Sequence, residues 1–123
     1  MSIKNLDGKY KVKTETNFIS AFPADGDGVT EIKNGLTYRT DENGCTWESS
    51  FSILDDNKVL LESTVDPSNA PANIFIEDMA GNPTREIVVY KTTLDLTTVD
   101  GEITLSGTIN HGSKTTKLTM SQI

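Results

Sequence analysis

Apolar and polar residues alternate along most of this chain. Over Lys9–Thr16, Tyr10, Val12, Thr14 and Thr16 form one row, and Lys9, Lys11, Lys13 and Glu15 form the other. Side chains two apart on an extended backbone point the same way, so this pattern predicts a strand with one buried face. The same period recurs at Cys45–Ile53, where Cys45, Trp47, Phe51 and Ile53 align, and at Glu102–Ile109, where Ile103, Leu105, Gly107 and Ile109 align. A glycine inside such a row, here Gly107, marks a bend or a close backbone approach.

Turn chemistry divides the alternating runs. Asn34-Gly35, between Val29–Lys33 and Leu36–Thr40, is a two-residue hairpin signal because both residues tolerate positive φ. Asp41-Glu42-Asn43-Gly44 closes the next hairpin, and Asp55-Asp56-Asn57 precedes Lys58–Val65. Two prolines make Asp66–Pro71 a loop. Ala72–Glu77 reads as a strand, Ala80-Gly81-Asn82-Pro83 as a turn, and Arg85–Leu96 as the longest strand. Asp100-Gly101 leads into Glu102–Ile109, and His111-Gly112-Ser113 into Lys114–Gln122. A helical turn fits only at Asn17–Ala24, where Pro23 and Asp25-Gly26-Asp27-Gly28 end it.

These elements predict an all-β fold, an antiparallel up-and-down barrel of about nine to ten strands. A meander that long leaves costly edges unless it closes on itself. A two-sheet sandwich is the second choice. With no repeat, linker or low-complexity tract, residues 1–123 read as one domain.

Composition narrows the function. With 35% hydrophobic and 24% charged residues, the chain can bury a core of its own. Its net charge of −7 supplies no positive field for general nucleic-acid binding. A single cysteine excludes an internal disulfide, and Cys45, near Trp47, reads as a small buried apolar side chain. No apolar run reaches the length of a transmembrane helix, and Met1–Gly8 has no apolar leader segment. The expected location is therefore cytoplasmic.

Catalytic signatures are absent from the sequence: it has no Gly-x-Ser-x-Gly elbow, phosphate loop or His-Glu-x-x-His motif. His111 is the sole histidine and falls in an expected turn. Asp25-Gly26-Asp27-Gly28 resembles the start of a calcium loop, but Thr30 and Leu36 stand where that loop needs Gly and Glu. No catalytic residue, metal or cofactor is expected, and the reading leans away from an enzyme. A ligand-binding barrel instead needs an apolar lumen with a few polar groups. Tyr10, Val12, Tyr38, Trp47, Phe51, Phe75, Tyr90, Leu105 and Met120 are the candidate lining residues, with ordinary core filling as the plain alternative. Arg39 and Arg85, the two arginines, would pair with a ligand carboxylate if they pointed inward. The row Lys9, Lys11, Lys13 reads first as a charged edge that blocks strand pairing, and second as a patch for an anionic lipid surface or partner.

Both ends of the chain carry a resemblance. Gly8-x-Tyr10-Lys11-Val12, followed by Asn17-Phe18, resembles the first strand of the fatty-acid-binding proteins, with Gly-x-Trp-Lys-Leu and then Asn-Phe at the same spacing. Asp100-Gly101-Glu102-Ile103-x-Leu105, leading to Thr108-Ile109-Asn110-His111-Gly112, is similar to that family's last hairpin. The wider calycin group, lipocalins included, shares the opening. The resemblance implies barrel architecture and a cavity. It does not reach the family's two-helix lid, because residues 19–27 are too few and too rich in Pro and Gly. Nor does it carry the anion clamp: Leu118 and Met120 stand where its Arg and Tyr would fall, and Leu96 where its other Arg would. The expected function is a non-catalytic barrel that binds an apolar or amphipathic, lipid-like small molecule in its interior. The alternative is a solid-cored structural or protein-interaction module, such as an assembly or virion accessory protein.

Overall fold

The computed structural model describes residues 6–15, 28–41, 43–111 and 114–123, with the backbone alone for 15, 111 and 114. The expected helical turn at 17–24, the run 25–27 and the His111 side chain lie outside that description. Ten strands are present, and no helix among the described residues: β1 (Gly8–Glu15), β2 (Gly28–Ile32), β3 (Leu36–Thr40), β4 (Thr46–Asp55), β5 (Lys58–Asp66), β6 (Ile76–Glu77), β7 (Pro83–Thr84), β8 (Val88–Val99), β9 (Glu102–His111) and β10 (Lys114–Gln122). Eight of them join in the order β2-β1-β10-β9-β8-β5-β4-β3, each pair antiparallel. The two ends of that order, β2 and β3, are the arms of the Asn34-Gly35 hairpin. The sheet is therefore a nearly closed up-and-down barrel. The small β6–β7 sheet is inserted between β5 and β8.

Residues directly opposite on paired strands share a face, so the register identifies the interior. Val12 lies opposite Met120, and Met120 opposite Leu105, which in turn faces Leu96. On the other side Trp47 lies opposite Val65 and Phe51 opposite Leu61. All of these side chains are buried. Gly107 occupies the inward row of β9 opposite Leu118. A Cβ there would come within 2.7 Å of Leu94 Cδ2, so the glycine serves a close approach between β9 and β8. The buried polar aromatics, Tyr10, Trp47 and Tyr90, have their polar atoms satisfied. Tyr10 donates its hydroxyl to Leu6 O at 2.7 Å, Tyr90 to Glu77 O, and Trp47 donates Nε1–H to Asp41 Oδ2 at 2.9 Å.

Three expectations need correction. The strand foreseen at Ala72–Glu77 shrinks to Ile76–Glu77, because carbonyls of the preceding segment turn toward the Arg85 guanidinium. The long strand foreseen from Arg85 begins only at Val88. Finally, β1 pairs on both sides, with β2 and with β10. Lys9 and Lys11 therefore guard no sheet edge, while the described pairing with β2 ends at Val12, short of Lys13.

Candidate functional site

The barrel wall parts between β2 and β3, and local anchoring explains why. Asn34 and Gly35 adopt φ of 55° and 76°, as a tight hairpin turn requires. One cross-strand pair forms, with Lys33 N donating to Leu36 O at 2.9 Å and Leu36 N to Lys33 O at 3.1 Å. The turn is then held from opposite flanks. The Asp7 carboxylate, just ahead of β1, accepts from Asn34 N at 2.9 Å and Gly35 N at 3.0 Å. Gly35 O accepts from Phe51 N of β4 at 2.8 Å. Beyond the turn β2 follows β1 and β3 follows β4, so the two arms diverge.

Between them lies a cleft of about 480 Å³ lined by Val29, Thr30, Glu31, Lys33, Asn34, Leu36, Thr37 and Tyr38. Thr30 lies opposite Tyr10, and Thr37 opposite Ser49, so both occupy inward rows. Val29 and Tyr38 stand exposed on the outside. The cleft thus connects the outer surface with the inner face of the wall. From Thr37 a row of small hydroxyls crosses the inner face to Ser49 and Ser63, whose Oγ atoms are 2.8 Å apart. All three residues are buried. Arg39 lies opposite Trp47, which places it on the same inward-facing row of β3, half-buried.

The residues singled out in the sequence separate into groups. Tyr10, Val12, Leu105 and Met120 keep none of their surface exposed and Tyr90 almost none. They pack against other side chains and show no surface even to a water-sized guest. Trp47 and Phe51 are buried with a small remnant exposed, and the Trp47 ring stacks on Tyr90 at 6.1 Å between centroids. Tyr38 is 70% exposed and Phe75 59% exposed, so neither lines the interior. Tyr38 is turned out because its register partner is the outward Glu48, toward which its hydroxyl points at 3.4 Å. Phe75 falls in the non-strand stretch before β6. Arg85 is no carboxylate clamp. Its guanidinium donates to four carbonyls, Pro71 at 2.8 Å, Ile74 at 2.6 Å, and Pro67 and Ala70 at 3.2 Å each, and so ties the β5–β6 loop together.

Sequence reasoning missed the cleft residues Val29, Thr30, Leu36 and Thr37. The Asn34-Gly35 signal had already brought them to the two sides of one turn. Cys45 is buried, and burial followed by the Asp41 charge pushes its thiol pKa up, which disfavours the thiolate. Among the described residues, no group of three His, Cys, Asp or Glu is arranged to hold a metal ion, and no helix is long and apolar enough to cross a membrane. No family model, curated protein or solved structure matches the chain.

Proposed function

We propose that this protein is a non-catalytic binding barrel that takes an apolar or amphipathic small molecule at the β2–β3 cleft. The packed interior serves as the scaffold. The observation that carries the reading is the cleft itself, about 480 Å³ where the wall parts between β2 and β3, with apolar Val29 and Leu36 beside the hydroxyls of Thr30 and Thr37. That volume and that mixture of lining groups suit a small ligand. Burying about 200 Å² of apolar ligand surface there would contribute about 5 kcal/mol before ordering costs. Titration with a single-chain amphiphile such as dodecanoate, followed by amide NMR shifts, tests the proposal. Shifts should concentrate at Thr30, Leu36 and Thr37, and Thr30→Trp should abolish them by filling the cleft. An absence of binding, or shifts confined to another face, would reject the site.

A second reading, a protein-interaction module, is favoured by one further feature. Met79, Ile87 and Val89 expose apolar side chains around a hollow of about 460 Å³ beside the β6–β7 sheet. An exposed apolar cluster of this kind is a common mark of contact surfaces. On that reading Ile87→Asp abolishes capture of a partner and leaves amphiphile binding unchanged.

A further inference from the structure

The outer face of β1 and β10 is basic on a protein whose net charge is −7. Lys9, Lys11 and Lys13 project outward at about 6.8 Å intervals along β1. Lys117 stands exposed on the adjoining strand, β10. Among the described residues, none of the four forms an ion pair. Their neighbours on the outer rows of β10 and β9 are mostly hydroxyls, such as Thr119, Ser121, Ser106 and Thr108. At the ends of the stripe Glu31 is in register with Lys9, and the backbone of Glu15 with that of Lys117.

Because β1 is paired on both sides as far as Val12, neither Lys9 nor Lys11 protects an edge. The charges of the stripe repel one another, and they form no ion pair among the described residues. The complementary charge is elsewhere on the same molecule. Residues 41–99 hold eleven Asp and Glu against three Lys and Arg. On the outer rows of β4 and β5, Glu48 lies opposite Thr64, which sits between Glu62 and Asp66. Lys91, in register with Glu62, and Lys58, paired with Asp95, offset part of this charge. Round the barrel, β5 is four strands from β1 in either direction, so the acidic and basic faces are diametrically opposed.

We propose that the lysine stripe on β1 and β10 docks onto the acidic β4–β5 face of a second copy of this chain. Two different patches meet in such a contact, so it is head-to-tail and repeats into a ring or a filament. The attraction is local and the repulsion between two net negative molecules is global. Intermediate ionic strength, with a screening length shorter than the barrel, therefore suits the contact best. Both patches adjoin the cleft wall, with Lys11 in register with Val29 and Glu48 with Tyr38, but the inference does not rest on the cleft reading, because it needs no ligand between β2 and β3.

Sedimentation velocity of the intact chain over a concentration series tests it. At about 50 mM salt the sedimentation coefficient should rise with concentration, and at about 500 mM the protein should be monomeric. Lys11→Glu with Lys13→Glu should weaken association about tenfold or more, as should Glu48→Lys with Glu62→Lys, and mixing the two variants should restore it. Zero-length carbodiimide cross-links should join Lys11 or Lys13 of one copy to Glu48 or Glu62 of another. Circular dichroism confirms that the variants fold. A monomer at every concentration and salt overturns the proposal. So does association that ignores both variants, or a stripe that binds phosphatidylserine vesicles while the protein stays monomeric.

Discussion

Asp41 offers the sharpest test of how the barrel is held together. It follows β3 directly and is buried, with three donors on one carboxylate. Oδ1 accepts from Asn43 N at 2.9 Å and Cys45 N at 3.0 Å, and Oδ2 accepts from Trp47 Nε1 at 2.9 Å. Its own backbone completes the turn, with Asp41 N donating to Cys45 O at 2.9 Å and Gly44 N to Asp41 O at 3.1 Å. Asp41→Ala strands the Cys45 amide and the Trp47 indole N–H, both in buried positions, while the Asn43 amide returns to water. Two stranded buried donors at about 1–3 kcal/mol each give a loss centred near about 4 kcal/mol. For 123 residues that corresponds to a fall in Tm of about 15 °C. Asp41→Asn keeps an oxygen for the backbone donors but turns an NH2 toward the indole, so about half the loss is expected. Urea unfolding by circular dichroism measures the stability. Fluorescence of Trp47, the sole tryptophan, reports whether the indole is released. A loss below about 1 kcal/mol for Asp41→Ala would refute the reasoning, since both donors must then have found other partners.

Three further outcomes are expected. Ser49→Ala or Ser63→Ala should each cost about 1–2 kcal/mol by orphaning the other hydroxyl, while the double variant costs less than the sum; an additive cycle would show that the 2.8 Å contact carries no coupling. Gly107→Ala should cost about 1–3 kcal/mol, because its Cβ would crowd Leu94 Cδ2 at 2.7 Å and Thr93 O at 3.3 Å; an unchanged denaturation midpoint would disprove the close approach. Burial, aided by Asp7, pushes the Tyr10 hydroxyl up to about 12, and burial aided by Glu77 and Asp78 does the same for Tyr90. The unfolded state ionises these phenols first, so their contribution to stability is complete below about pH 10 and is lost as pH rises toward about 12. Melting temperature and phenolate absorbance followed from pH 8 to 12 should change together. Ionisation of both phenols at pH 10 in a still-folded protein would contradict the assignment.

The alternation of side chains carried most of the architecture. Tyr10 and Val12, Trp47 and Phe51, and Leu105 and Met120 face inward as their period predicts, and Asn34-Gly35 makes the turn that its chemistry requires. In β3 the same logic picks the wrong row. Leu36 and Tyr38 are the more apolar alternate set, yet Thr37 and Arg39 occupy the inward positions. Register decides this, and one residue of slip exchanges the faces of a strand. The Asp41-centred turn sets that register by placing Thr40 opposite Thr46, a constraint that hydropathy does not encode. Phe75 failed for a similar reason. Pro67 and Pro71 signalled a loop, but nothing local revealed that Arg85, fourteen residues beyond Pro71, would draw the loop's carbonyls together. The cleft was legible only as a hairpin. Its opening depends on Asp7 and Phe51, which grip the turn from opposite flanks across long sequence separations.

The pairing of β1 with β10 has a temporal consequence. Val12 and Met120 are 108 residues apart, so bringing them together carries a loop-closure entropy of about 4 kcal/mol. During synthesis β1 emerges from the ribosome long before β10 exists, and it must wait with one flank unsatisfied until β10 follows. Sealing that seam is accordingly a late event in maturation, and a nascent chain stalled before residue 114 is the species that chaperones would meet.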